Sequence, residues 1–328
     1  MDFDLTEDQK EIKRVARELL AARSPFAAVR AAAEAATYDA ALWAELRELG
    51  WAGIAVGEEY GGQGLGAVAL AVLLEEHGYA CASTPLVSSA VVAAVIDAEG
   101  TAEQRAQWLP GLVSGELSAA LGTRGIAADA PGADVALIVD GSDAWLIGAA
   151  EAEPFVAIDL TRRFGAVHGE GEPLGPLAAA RVRGAVSAEL VGVAQRALDM
   201  TVEYVKERKQ FGVPVGSFQA VSHRCAQMLL GTESARSMAY HAAWAADAST
   251  ETLDEAAALA AAAACDAGVE VSASAIQAHG GIGFTWEADV HWLYKRAQAD
   301  AALIGGGKLQ RSGLAELVRR RAARSAVP

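Results

Sequence analysis

The stretch Tyr204–Met228, YVKERKQFGVPVGSFQAVSHRCAQM, decides how the second half of the chain is organised. Apolar residues at helical spacing lead into it and away from it, so one long helix ends here and a second begins after a turn rich in glycine and proline. Arg208 lies at the end of the first helix, with Phe211 and Phe218 on either side of the turn. A guanidinium, free N–H groups at a helix start and aromatic rings suit an elongated anionic ligand. Basic residues that favour a helix dipole at a corner between two helices explain the same pattern, so both interpretations stay open.

Long helices are predicted on both sides of this turn. Their approximate limits are Val182 to Gly212, Phe218 to Asp247, Asp254 to His279, Asp289 to Leu303 and, after a triple glycine, a last helix to Arg324. Long antiparallel helices joined by short loops predict a four-helix bundle.

The first third of the chain also has helical spacing. The predicted helices are Asp2–Glu34, starting near Thr6, then Asp39–Leu49, Thr84–Glu99 and Thr101–Leu112, the last closed around Pro110 and Gly111. A glycine-rich loop at residues 61–66 leads into a further apolar helix. Because a helical pattern and not a strand precedes these glycines, they do not form a Rossmann dinucleotide fingerprint.

Between the two helical parts lies a segment rich in Val, Ile and Gly. Val135–Val139 and Ala144–Ile147 flank the turn Asp140–Asp143 and predict a β-hairpin, and Phe155–Leu160 is a further candidate strand. The fold class is therefore mainly α with a small central β domain. We place the domains at 1–117 (helical), 118–180 (a shortened β domain) and 181–328 (four-helix bundle).

Composition excludes several classes of protein. A net charge of −15 argues against a nucleic-acid partner. The six histidines show no metal-ligand spacing, and Cys81, Cys225 and Cys265 are interpreted as small buried residues, so no metal site is expected. No signal peptide is evident, and no apolar run free of charges approaches the length of a bilayer span. We expect a cytoplasmic protein with no membrane partner.

Several blocks, in the correct order, resemble the acyl-CoA dehydrogenase family. LWAELRELGWAGIAVGEEYGGQGLG resembles its helical first domain, and RAQWLPGLVSGELSAAL resembles the passage into its central β domain. ERKQFGVPVGSFQAVSHRCAQM and QAHGGIGFTWEADVHWLYKR resemble its C-terminal four-helix domain. The resemblance covers almost the whole chain.

The resemblance implies a site for FAD that is shared between subunits. In such relatives the R-x-x-F-G and Q-x-x-G-G segments of one subunit reach the pyrophosphate and adenosine half of a neighbour's FAD. The matching residues of this sequence are Arg208, Gln210, Phe211, Phe218, Gln277 and Gly281. Arginine supplies a bidentate charge for pyrophosphate, and glycine allows close approach of the backbone.

The resemblance also implies α,β-dehydrogenation of an acyl-CoA thioester, with electrons passed on to an electron-accepting flavoprotein. In this reaction a glutamate removes the α-proton while hydride leaves the β-carbon for FAD. The two family positions for that glutamate match Ile304 and Val182, and neither residue accepts a proton. Arg183 matches an arginine that follows the second position and is a candidate substrate-binding residue.

Two carboxylates near these positions are candidate substitutes for the base. Asp300 lies one helical turn before Ile304, and Glu189 lies two turns after Val182. Pairing with a nearby arginine explains such carboxylates equally well, and Glu189 lies among apolar residues where it would need a partner.

The flavin-ring half of the family site is also altered. The family loop that packs on the ring matches LGTRGIAADAPGAD, and the similar triplet Gly141–Asp143 falls in the predicted hairpin turn instead. The sequence therefore resembles the shorter, base-lacking subunit of heterotetrameric acyl-CoA dehydrogenases, such as those of bacterial sterol side-chain degradation. A self-sufficient homo-oligomeric enzyme with a relocated base and a non-catalytic scaffold remain the alternatives.

Overall fold

The computed structural model of the chain describes residues 4–148 and 151–325. The first six helices are α1 (Glu7–Arg23), α2 (Phe26–Glu34), α3 (Ala40–Glu48), α4 (Gly66–Ala80), α5 (Leu86–Glu99) and α6 (Ala102–Ser114). The single helix predicted over Asp2–Glu34 is wrong in extent, and Asp2 lies outside the described residues. The chain breaks at Ser24 because the residue before a proline, here Pro25, is driven out of the helical region.

Polar caps set the starts of several of these helices. The Thr6 hydroxyl accepts a hydrogen bond from the Gln9 N–H, and the Gln9 side chain accepts one from the Thr6 N–H, which confirms the predicted start. Thr101 caps α6 in the same way. The predicted end of α6 is wrong, because Pro110 lies inside the helix and removes one hydrogen bond without ending it. Gly115, at a φ of 69°, follows the last residue.

A small sheet forms the middle of the chain. Its strands are β1 (Ala119–Thr123), β2 (Ile126–Ala128), β3 (Val135–Asp140), β4 (Asp143–Gly148), β5 (Glu151–Phe155), β6 (Phe164–His168) and β7 (Glu172–Pro173). The spatial order is β5-β6-β2-β1-β3-β4-β7; β1 and β3 are parallel, and the other pairs are antiparallel. The hairpin predicted around residues 140–143 is confirmed as β3 and β4.

The strand predicted over Phe155–Leu160 is wrong. Phe155 is the last residue of β5, and the segment after it is irregular, with Val156 87% exposed. The same segment carries Asp159 and Arg162 into the interior, where both are almost fully buried. Buried ion pairs, described below, take the place of strand pairing here.

The third part of the chain is the predicted helical bundle. Its helices are α7 (Ala178–Glu207), α8 (Gln219–Ala248), α9 (Leu253–His279), α10 (Val290–Leu303) and α11 (Gly306–Ser325), with a two-stranded hairpin, β8 (Lys209–Gln210) and β9 (Val213–Pro214), between α7 and α8. α7 packs against α8, α9 and α10, and also against α4 of the first part. The predicted fold class, mainly α with a small central sheet, is confirmed.

Glycine allows the backbones of α4 and α7 to touch. A Cβ added to Gly192 would lie 1.9 Å from the Glu75 carbonyl oxygen, and one added to Gly78 would lie 2.2 Å from that of Glu189. No larger residue fits at either position without separating the two helices. The first helical part and the bundle therefore share one core.

One segment, Thr250–Phe284, is long and apolar enough to cross a bilayer by length and composition, and 56% of its most apolar window is buried inside the protein. It contains α9, which packs against four other helices of the bundle. Its apolar character is therefore explained by its place in the core. Cys81 and Cys265 are buried as predicted, but the prediction is wrong for Cys225, which is partly exposed on α8.

Candidate functional site

The hairpin after α7 holds an aromatic side chain out from the surface. Arg208 leaves the helix in an extended conformation, and β8 and β9 are joined by the two residues Phe211 and Gly212, at φ values of 53° and 83°. Turns of this kind favour Asn, Asp or Gly, so a phenylalanine costs about 1 kcal/mol. Phe211 is nonetheless 93% exposed, and its one aromatic neighbour among the described residues is Phe218, in an edge-to-face arrangement with 6.2 Å between ring centroids. Phe211 therefore has a strained backbone that no burial of its ring offsets.

This hairpin, the start of α8 and the end of α9 surround an open cleft of about 620 Å³. Five of the six residues predicted from the resemblance line it: Arg208, Gln210, Phe211, Phe218 and Gly281. Gln277 lies on the last turn of α9, exposed to solvent and outside the cleft wall. The structure therefore brings together residues from two segments that are about seventy positions apart in the sequence.

The surface of the cleft is equipped for an anion. Within the described part of the chain, no group accepts a hydrogen bond from the exposed Arg208 guanidinium. A Cβ added to Gly280 or Gly281 would meet nothing within 4 Å, so this side of the cleft is bare, open backbone. Tyr204 and His279 stack behind it, with ring centroids 4.3 Å apart. The cleft thus offers a free cation, bare backbone and aromatic rings to one ligand.

His279 is held neutral at the edge of the cleft. Burial lowers the pKa of its imidazole, and its Nδ1 lies 2.7 Å from the Ala275 carbonyl oxygen, to which it donates. The imidazole therefore offers a flat apolar surface to Tyr204 and no positive charge at neutral pH. Arg208 carries the charge of the cleft wall.

The two family positions for the base lie in a different and much smaller pocket, of about 70 Å³. Val182 and Ile304 are both buried and share this pocket with Thr123 and Gln310, and the Gln310 side-chain amide donates a hydrogen bond to the Ile304 carbonyl. One carboxylate, Asp140, reaches the pocket wall, and it is ion-paired with Arg124. Sequence reasoning assigned Asp140 to the hairpin turn and gave no signal that it would lie beside Ile304.

Arg183, the predicted substrate-binding residue, also lines the small pocket. Its guanidinium donates to Asp254 at 2.7 Å and to the Gly141 carbonyl oxygen at 3.2 Å. Burial lowers the pKa of Arg183, while Asp254 opposes that change. Both contacts join the start of α7 to neighbouring elements of the same chain.

The segment that matches the flavin-ring loop of relatives, residues 121–134, contains a tight turn between two strands. β1 and β2 are joined by Arg124 and Gly125 alone, at φ values of 49° and 78°. The triplet Gly141–Asp143 lies at the equally tight β3–β4 turn, as predicted.

Glu189 and Asp300, the candidate substitute bases, lie in a buried ionic network. Arg162 donates to one oxygen of each carboxylate. Arg296 donates to Glu189 at 2.8 Å and to Asp159 at 2.8 Å. All five side chains are at most 2% exposed, and neither Glu189 nor Asp300 lines the Val182–Ile304 pocket. Their surroundings favour the role of arginine partners over that of a base that meets substrate.

The two carboxylates have opposite protonation. Burial raises the pKa of Asp300 to about 8, with Glu189 adding to the shift and Arg162 opposing it. Burial would also raise the pKa of Glu189, but Arg162, His77 and Arg296 together hold it below the usual range. The network therefore contains an ionised Glu189 and, at neutral pH, a protonated Asp300. Sequence reasoning noted that Glu189 needs a partner but found neither Arg162 nor Arg296, because no local pattern joins residues 27 and 107 positions apart.

Two family models match the chain. The family model described as acyl-CoA dehydrogenase, N-terminal domain, matches residues 6–116, and that described as acyl-CoA dehydrogenase, C-terminal domain, matches residues 177–318. The chain belongs to the acyl-CoA dehydrogenase family. Members of this family are oxidoreductases that bind FAD.

Two curated relatives and one solved structure are similar to the chain over most of its length. It is 34% identical to acyl-CoA dehydrogenase IpdE2 of Mycolicibacterium smegmatis over 92% of this chain and 96% of that protein. It is 35% identical to acyl-CoA dehydrogenase FadE34 of Mycobacterium tuberculosis over 89% of this chain but 46% of that protein. A variant of the Tcur3481-Tcur3483 steroid ACAD has a TM-score of 0.86 and 30% identity, covering 97% of this chain and 99% of the compared chain.

Proposed function

We propose that this chain is the base-lacking subunit of an FAD-dependent acyl-CoA dehydrogenase, and that its Arg208 cleft completes the flavin site of an unlike catalytic subunit. The observation that carries the proposal is the contrast between its two sites. The Arg208 cleft is open and has a free guanidinium, whereas Val182 and Ile304 occupy a pocket of about 70 Å³ with no unpaired carboxylate among its described lining residues.

The cleft residues fit the pyrophosphate and adenosine half of FAD. Arg208 would bind the pyrophosphate through a charge-assisted hydrogen bond, and the bare backbone at Gly280 and Gly281 leaves room for a sugar or phosphate close by. Phe211 and Phe218 would pack on the adenosine. Bound FAD supplies the acceptor for the hydride that leaves the β-carbon of an acyl-CoA, while this chain binds, orients and excludes water around its distal half.

Exposed apolar residues next to the cleft support a partner subunit. Phe211, Phe284 and Trp286 are 93%, 73% and 63% exposed, and Ile282 of the cleft wall is 41% exposed. Clusters of exposed aromatic residues mark protein interfaces more often than free surfaces. A second subunit that covers them would also bring its flavin to Arg208.

The relatives support an unlike partner and a bulky acyl group. FadE34 is long enough to hold a second unit of this size, since the chain covers 46% of it, and the name Tcur3481-Tcur3483 joins two proteins. The word steroid in that name supports an acyl-CoA thioester of a sterol-derived acid as substrate. An electron-transferring flavoprotein would then be the acceptor.

The test compares the chain alone with the chain co-expressed with a neighbouring acyl-CoA dehydrogenase gene. We expect visible flavin absorbance and acyl-CoA-dependent dye reduction only from the co-expressed complex. Activity from the chain alone would overturn the need for a partner and direct attention to Asp140 as base. Absence of flavin from both preparations would overturn the flavin role and favour a scaffold.

In an active complex, Arg208→Ala should reduce FAD affinity about 10- to 100-fold, because a hydrogen bond to a charged group contributes about 1.5–3 kcal/mol. The matched control is Lys206→Ala, which removes one positive charge from the same helix end without altering the cleft wall. Equal FAD content in the two variants would contradict the proposed contact.

A further inference from the structure

A second enclosed space lies where α4, α5, α7 and α8 converge, far along α7 from the hairpin. Its volume is about 270 Å³, and it shares no lining residue with either the Arg208 cleft or the Val182–Ile304 pocket. Its floor is formed by buried side chains and one glycine: Leu70, Ala71, Val91, Val95, Gly184, Ala242, Ala243 and Leu253. No polar side chain forms part of this floor.

The cavity exists because small residues line facing helices. A Cβ added to Gly184 would lie 3.5 Å from the Ala242 Cβ, an ordinary contact, so close packing does not require glycine there. This differs from Gly192 on the same helix, where the backbones touch. An engineered apolar cavity of about 150 Å³ binds benzene. A cavity of about 270 Å³ is therefore large enough for a compact molecule of about two rings.

The polar groups of the cavity lie at its rim. Asp97, Arg181 and Asp247 reach the rim from three helices. The Arg181 charge is neutralised by Glu99 at 2.8 Å, and the Asp97 and Asp247 carboxylates accept hydrogen bonds from backbone N–H groups of the loop before α4 and of its first turn. The rim is therefore acidic. It favours a hydrogen-bond donor or a cation and repels the phosphates of an acyl-CoA.

We propose that this cavity is a binding site for a compact apolar molecule of one or two rings that carries a hydroxyl or ammonium group as its polar end. The rings fill the floor between α5 and α8, and the polar end meets Asp97 at the rim. The site does not depend on the flavin role proposed above, because it shares no residue with the Arg208 cleft.

Three matched probes test the size and charge preference of the site in the full chain. Aminoindane, indanol and indane carboxylate, substituted at the same ring carbon, are titrated by calorimetry. We expect the amine and the alcohol to bind and the carboxylate to bind at least about 10-fold more weakly, since like charges face it. No binding by any probe, or tightest binding by the carboxylate, would overturn the proposal.

Substitutions in the floor and at the rim of the cavity test whether the probes bind there. Gly184→Leu should reduce the affinity for aminoindane at least about 10-fold by filling the floor, and Gly184→Ala, which fits the space, should give a smaller loss of the same sign. Gly313→Leu on α11, where an added Cβ also meets nothing within 4 Å, is the matched control and should bind normally. Asp97→Asn should reduce the difference in binding affinity between the amine probe and the carboxylate probe. Unchanged affinity in both folded Gly184 variants would show that the probe binds elsewhere.

Discussion

The open cleft at Arg208 and the small pocket at Val182 and Ile304 lie on the same bundle, but their charged groups differ in whether they are paired within the chain. In the cleft, the Arg208 guanidinium is exposed and has no acceptor among the described residues, and the strained Phe211 is 93% exposed. At the pocket, the charged residues of the wall are paired within the chain, Arg124 with Asp140 and Arg183 with Asp254. An unpaired cation at one site and internally paired charges at the other are what we expect of a subunit that contributes to a partner's site.

The largest effect is expected where the chain satisfies its own charges. Arg296→Ala leaves Glu189 and Asp159 buried with one partner fewer, so the free energy of unfolding should fall by about 3–5 kcal/mol. Urea denaturation of the full chain measures this fall in the free energy of unfolding. Arg311→Ala, which breaks an exposed pair with Asp266, should cost less than about 1 kcal/mol. Similar losses for both variants would remove the basis for treating the network as structural.

Restoring a carboxylate at the family position should also be costly. Ile304→Glu places an ionisable group in a buried pocket whose two described lining cations, Arg124 and Arg183, are already paired with Asp140 and Asp254. We expect a loss of about 2–4 kcal/mol in the free energy of unfolding and no dehydrogenase activity from the chain alone. Ile304→Met, of similar volume, is the control. A stable Ile304→Glu variant with dehydrogenase activity would show that this pocket is an active site that lacks only its base.

The buried network should give stability an unusual pH dependence. Asp300 binds its proton up to about pH 8 in the folded chain, while an unfolded aspartate loses it near pH 4. Because the folded state then holds the extra proton, the contribution of Asp300 to the free energy of unfolding falls as the pH rises between these limits. Asp300→Asn removes that slope, so its stability relative to the parent should rise across this range and level off above it. If the free energies of unfolding of the parent chain and of Asp300→Asn change with pH in parallel, Asp300 is ionised in the folded chain.

The smallest effect is expected at the tip of the hairpin. Phe211→Asn places a residue that favours positive φ in the turn, so the isolated chain should be unchanged or more stable by about 0.5 kcal/mol. The same variant should lose FAD or partner association in the complex. Improved stability of the isolated chain together with reduced assembly would show that Phe211 serves contact with FAD or the partner and not the stability of this chain. Reduced stability of the isolated chain would contradict the strain at Phe211.

Sequence reasoning found the exposed cleft more completely than the buried network, for a physical reason. Arg208, Phe211 and Gly281 belong to short motifs whose chemistry can be read locally, and the helical and strand periods around them set most of the fold. The network is made by Arg162, which follows the segment wrongly predicted as a strand, and by Arg296 on α10. Its pairs join distant positions, and nothing in the local composition distinguishes these arginines from exposed ones.

The close approach of α4 and α7, at Gly78 against Glu189 and at Gly192 against Glu75, has a consequence for how the chain reaches its native state. These backbones meet although they are more than a hundred residues apart in the sequence, and the β domain is made between them. Closing so long a loop costs entropy before any packing rewards it, so this contact should form late and limit the folding rate. A nascent chain that has not yet extended to α7 exposes the glycine face of α4, and it depends on the rest of its own synthesis to cover that face.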